Sequence, residues 1–93
     1  MRVVHSMNIK QAEFERLLPA AVAFVPVNVS DGVYSGKASG GEWRIRLGPE
    51  RTHRIGLIRL PLRDVEIVLE GYSGADAAAF RRRFDLYFQK GGG

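Results

Sequence analysis

Between Phe24 and Tyr72 apolar residues recur at every second position, and glycine-bearing turns cut the run into short segments. A period of two sends alternate side chains to opposite faces, so one face of an antiparallel sheet can be buried while the other stays solvated. The middle of the chain is thereby limited to a sheet that something else must cover on one side.

The segments read as follows. Val25, Val27 and Val29 alternate with Pro26 and Asn28, and the proline favours an edge strand. Ser30-Asp31-Gly32 is a turn, because Asp tolerates and Gly readily supplies positive φ. Residues 33–39 form the return strand, weakened by Gly36, and Gly40-Gly41 turns the chain again. Trp43, Ile45 and Leu47 then face one way, with Arg44 and Arg46 facing the other. Gly48-Pro49 opens a loop that runs through Arg54. The strand at 55–62 has conflicting parity, since Ile58, Leu60 and Leu62 share one face while Ile55 and Leu57 take the other. A bulge near Gly56 would reconcile them. The last strand, 64–72, has Val65, Ile67 and Leu69 inward with Glu66 and Glu70 outward.

Helical periods bracket the strands. Asn8 and Gln11 have capping-box spacing, and Phe14, Leu17, Leu18 and Ala21 follow the i, i+3, i+4, i+7 stripe of a buried face. Pro19 should stop or kink this helix near Leu18, so residues 8–18 are expected to be helical, with one further turn allowed through 22. At the other end, Ser73 and Asp76 form a second capping box ahead of the stripe Ala77, Phe80, Phe84, Tyr87 and Phe88. Lys90 suits the helix C-terminus, and Gly91-Gly92-Gly93 should end it. The expected fold is therefore α+β. An N-terminal helix, an antiparallel meander of four to five strands and a C-terminal helix are joined by short connections, with both helices on one face of the sheet.

Ninety-three residues with 45% hydrophobic and 26% charged composition fit one globular domain, 1–93. Met7 is a second start codon position, so residues 1–7 are expected as a disordered extension, and 91–93 as a glycine tail. There is no cysteine, which removes disulfides, thiolate metal sites and a cysteine nucleophile together. No apolar run reaches the roughly 18–20 residues of a membrane span, and the N-terminus lacks the pattern of a signal peptide. These features point to a cytoplasmic protein without membrane contact. The preference for Arg over Lys points to a bacterial source.

The formal charge is +4, and its distribution is uneven. Residues 1–43 balance four cations against four carboxylates, whereas residues 44–93 set ten cations against six and carry the whole excess. Six arginines, Arg44, Arg46, Arg51, Arg54, Arg59 and Arg63, together with His53, lie in a span whose one carboxylate is Glu50. The planar guanidinium fork suits phosphate, so these seven are the candidate anion-binding residues of a charged hairpin, with Trp43 and Tyr34 as stacking candidates. The competing reading makes Arg44, Arg46 and Arg59 the partners of Glu66 and Glu70 in a row of cross-strand ion pairs, a face that is soluble and idle. That row leaves Arg51, His53 and Arg54 with Glu50 alone. Arg81, Arg82 and Arg83 fan over about 200° of helix and do not make one patch. Arg81 can meet Asp85 at i+4, and a neighbour can lay its stem along Phe84.

Catalytic signatures are missing from the sequence. His5 and His53 have no second ligand at metal spacing, no nucleophile elbow presents a serine, and the glycines at 36, 40 and 41 do not open onto a helix. No cofactor is expected. The sequence therefore places first a non-catalytic binding or assembly module that engages another protein or itself. Anion or nucleic-acid binding through residues 44–63 comes second, and an enzyme with an unassigned site third.

Overall fold

The computed structural model describes residues 1–92, with side chains through Phe88. The Lys90 side chain and Gly93 lie outside the described residues, and Gly91 and Gly92, expected to end the last helix, instead continue it. The chain order is β1 (Arg2–Met7), α1 (Gln11–Ala21), β2 (Asn28–Ser30), β3 (Val33–Ala38), β4 (Gly41–Leu47), β5 (Arg51–Ile55), β6 (Ile58–Glu70) and α2 (Gly74–Gly92). The strands form an antiparallel sheet in the order β1-β6-β4-β3-β2, and β5 pairs with the remaining part of β6. Both helices pack on one face, as the α+β reading required.

The core is the meeting of three stripes. Phe14, Leu18 and Ala21 from α1 and Ala77, Phe84 and Phe88 from α2 close over Tyr34, Trp43, Ile45, Val65, Ile67 and Leu69 from the sheet. Phe14 sits 5.1 Å from both the Tyr34 and the Phe88 rings, and Phe84 sits 4.4 Å from Phe88. Arg83 joins the two helices, donating from Nε to the Ala20 carbonyl at 2.8 Å while its guanidinium lies over the Tyr87 ring. No Arg81–Asp85 ion pair forms among the described residues.

Several local expectations need correction. Residues 2–7 are not an extension: they form β1, pairing from Arg2↔Val68 to Met7↔Arg63, with Val3, His5 and Met7 half-buried on the helix side. Three alternating half-buried residues are a short signal, and the pairing with β6 is what makes it a strand. Helix α1 begins two residues later than its capping box implies. Lys10 is the N-cap and makes no side-chain bond. Pro19 lies inside α1, which runs to Ala21 through the further turn allowed for it, and Ala23 and Phe24, both at positive φ, follow its end. Residues 25–27 are not strand, and only 28–30 pair with β3. The turn expected at Gly40-Gly41 falls one residue earlier, with Ser39 and Gly40 both at positive φ. One half of the expected α2 capping box forms, the Asp76 N–H donating to Ser73 Oγ at 3.1 Å.

Gly36 does more than weaken β3. It is buried directly opposite Trp43, and a Cβ there would lie 2.5 Å from the indole. The glycine makes the room that the ring fills.

Candidate functional site

The largest correction concerns the charged hairpin, because its strands are longer than the sequence pattern indicates. Residues 51–54, expected as loop, belong with Ile55 to strand β5, and the rest of the two strands expected at 55–62 and 64–72 is one strand, β6, of 13 residues from Ile58 to Glu70. The parity conflict has a different cause from a bulge at Gly56. Gly56 and Leu57 are the two turn residues of the β5–β6 hairpin, since Ile55 pairs with Ile58. Gly56 has φ +58 and Leu57 does not have positive φ, the pattern of a type II′ turn. Ile55 therefore belongs to the opposite strand.

The inserted residue lies upstream. Leu47 pairs with Val65 and Arg51 with Leu62, so Gly48, Pro49 and Glu50 oppose only Arg63 and Asp64. This bulge reverses parity between β4 and β5, placing Arg51, His53 and Ile55 on the face of Leu62, Leu60 and Ile58.

Beyond Arg63, β6 has no neighbour except β5, so residues 51–62 form a two-stranded arm that leaves the sheet. The molecule measures 47 × 26 × 20 Å. The long dimension is accounted for by β6, whose residues advance roughly 3.3 Å each. Pro61, which has no N–H to give, sits where β6 is bordered on one side only. The two faces of the arm differ. One carries His53 and the apolar Ile55, Ile58, Leu60 and Leu62; the other carries Thr52, Pro61 and the directly opposed pair Arg54↔Arg59. At the tip, Leu57 is 103% exposed, flanked by Ile55 at 55% and Ile58 at 60%.

The seven expected anion-binding residues do not share one surface. Arg44 and Arg46 lie on the helix-free face of the sheet, where Arg44 pairs with Glu70 and, at 3.4 Å, with Glu42. Of the expected ion-pair row only Arg44–Glu70 forms: Glu66 is taken by Arg2 of β1 at 2.5 Å, and neither Arg46 nor Arg59 has a carboxylate within 4.0 Å among the described residues. Arg63 has the parity of Val65 and Ile67; its side chain is 14% exposed, 3.7 Å from Glu50, with a buried unpartnered Nε. Arg51 is held at the base of the arm by Asp64 Oδ1 at 3.1 Å and Ser6 Oγ at 2.9 Å. Arg54, Arg59 and His53 remain exposed on the arm, without ion pairs among the described residues. The proposed stacking groups are both core residues. Trp43 is fully buried, and Tyr34 turns its hydroxyl to Glu15 at 2.9 Å on α1.

At the base of the arm, the Ser6 hydroxyl and then the Arg51 guanidinium hold the Asp64 carboxyl below the usual aspartate range. A carboxyl with a depressed folded-state pKa contributes stability that is present above its unfolded pKa and lost as the pH falls through the folded value. An NMR pH titration should therefore place the Asp64 midpoint below that of a free aspartate and move it upward in Arg51→Gln. An Asp64 midpoint that Arg51→Gln leaves in place would show that the contact does not persist in solution.

A cleft of about 210 Å³ lies at the opposite end of the molecule, between the end of α1, the β3–β4 turn and the start of α2, with Trp43, Tyr72, Phe80 and Arg83 among its lining. Trp43 Nε1 and the Tyr72 hydroxyl are buried without partners, and burial, followed by the Asp76 charge, raises the Tyr72 pKa. The cleft is smaller than the roughly 300–1,000 Å³ of ordinary ligand sites. No group of three His, Asp or Glu side chains comes together in metal-binding geometry among the described residues, and no helix among them is long and apolar enough to cross a membrane. No protein family, curated protein or solved structure matches the chain.

Proposed function

We propose that this protein is a small non-catalytic binding and assembly module whose contact element is the arm, residues 51–62. One observation carries the reading. A two-stranded hairpin standing clear of its sheet exposes Ile55, Leu57 and Ile58 together at its end. An isolated pair of strands is marginally stable in water, and a cluster of exposed apolar side chains at a projection marks a contact surface more often than a resting one. The apolar face and tip suit another protein or a second copy of the chain. The face with Arg54 opposite Arg59 suits an anion, because like charges directly across a strand pair are unfavourable unless a counter-charge joins them. The setting we infer is bacterial cytoplasm, supported by the absence of cysteine and by the use of arginine over lysine.

Amide hydrogen exchange tests the arm as an open contact element. In dilute protein, amides of residues 52–60 should exchange on the order of 100-fold faster than those of Val65, Ile67 and Leu69, because the arm opens without unfolding the core. If the arm is as protected as the core in a dilute monomer, it is a finished part of the fold, and the proposal is wrong.

A further inference from the structure

We infer that the partner of the arm is duplex DNA, entered through a groove; this rests on the arm being the contact element. Residues 51–62 contain Arg51, His53, Arg54 and Arg59 and no carboxylate. Arg51 is engaged by Asp64, which leaves Arg54 and Arg59 as an opposed pair of guanidiniums at the distal end. Directly opposed residues on antiparallel strands hold their Cβ atoms about 4.5–5.5 Å apart, so the folded arm concentrates positive charge where its own chain supplies no answer.

Three alternatives fit less well. Two arms packed on each other would gather four unpaired arginines, Arg54 and Arg59 of each, with no carboxylate in either arm. The sheet carboxylates that a second copy might offer, Glu42, Glu66, Glu70 and Asp64, already have arginine partners. A single strand is bound mainly by stacking on exposed aromatics, whereas Trp43 and Tyr34 are buried and the arm contains no aromatic ring beyond His53.

The dimensions match the groove of a B-form duplex. Two strands lie about 4.8 Å apart and, with side chains, are roughly 10 Å across, against a major groove about 12 Å wide and 8.5 Å deep that admits a two-stranded ribbon. Five residue pairs advance roughly 17 Å, enough for the tip to reach the base edges while the sheet stays outside. Arg54 and Arg59 then meet the phosphates. Leu57, Ile55 and Ile58 meet apolar base surface, as thymine methyl groups or as a wedge at a base step.

The test is fluorescence anisotropy of a labelled 20-base-pair duplex titrated with the intact protein between 50 and 200 mM salt. Binding is expected, with log K falling against log salt at a slope of about −2 to −4, each neutralised phosphate contributing roughly −0.9. The double variant Arg54→Gln/Arg59→Gln should bind at least about 10-fold more weakly at 50 mM salt and flatten the slope by about 1.8. Leu57→Ser should weaken binding and leave the slope alone. Arg44→Gln, on the ion-paired face, should change neither. The inference is overturned by an absence of binding at 50 mM salt, by a double variant that binds like the parent, or by tighter binding to a single strand. Equal binding to polyglutamate would also overturn it, showing a bare anion site rather than a groove reader. Hydrogen exchange separates the two levels. Open arm amides without DNA binding leave the arm as contact element and remove DNA as its partner, whereas protected amides remove both.

Discussion

Trp43→Ala should cost about 3–5 kcal/mol, the range for deleting a large buried aromatic side chain. A domain of this size has roughly 5–15 kcal/mol in all, so the variant loses a large part of its stability. Trp43 is fully buried, 6.3 Å from Phe80 and seated on Gly36, which has no side chain to fill the space it leaves. For 60–100 residues each kcal/mol shifts the melting temperature by about 4–8 °C, so thermal denaturation followed by circular dichroism should fall by roughly 12–40 °C. Trp43→Phe is the informative companion. The indole Nε1 has no partner, so phenylalanine gives up no hydrogen bond and loses only part of the packing. Leu57→Ala, at the exposed tip, should stay within about 0.5 kcal/mol of the parent. A Trp43→Ala protein as stable as Leu57→Ala would mean that the core does not close around the indole.

The contrast between Trp43 and Leu57 also shows what the sequence could and could not reveal. Trp43, Ile45, Val65, Ile67 and Leu69 are legible because a strand buried on one face must alternate, and each of them is core. The helix stripes are legible for the same reason at a different period, Phe14, Leu18, Phe84 and Phe88 among them. The arm was hidden by the same rule. Alternation identifies a face but says nothing of whether anything covers it, and Ile55, Ile58, Leu60 and Leu62 look like core residues of a continuing sheet. Two further signals were weak. A bulge at Gly48-Pro49-Glu50 reads as a loop because glycine and proline mark both, and the Gly56-Leu57 turn lacks the Asn-Gly or Asp-Gly pair that announces a hairpin most clearly. Once the bulge is misplaced, parity assigns the arginines to one face. In the folded chain Arg44 and Arg46 lie on the helix-free side, while Arg59 and Arg63 take the parity of the core residues.

Gly41→Ala should cost about 3 kcal/mol, at the upper end of the usual range for overpacking, because the added carbon meets fixed backbone atoms as well as the Tyr72 ring, 2.7 Å away. A Cβ on Gly41 would lie 2.2 Å from the Glu70 carbonyl oxygen and 2.9 Å from the Gly71 carbonyl carbon, where β4 and β6 close against each other. Neither atom can rotate away, so relief requires the strands to part at this end of the sheet. Gly41 is not at positive φ, and the penalty is therefore one of contact alone. Gly56 isolates the other cause. It has φ +58 with open space around the missing Cβ, so Gly56→Ala meets only the cost of a left-handed backbone, about 1–2 kcal/mol, at the end of an arm that the core does not need. Urea denaturation of the two variants should therefore separate them, with Gly41→Ala lowering the midpoint of the global transition and Gly56→Ala leaving it nearly unchanged. Equal losses would mean that the arm and the sheet unfold as one unit, which removes the physical independence on which a separate contact element depends.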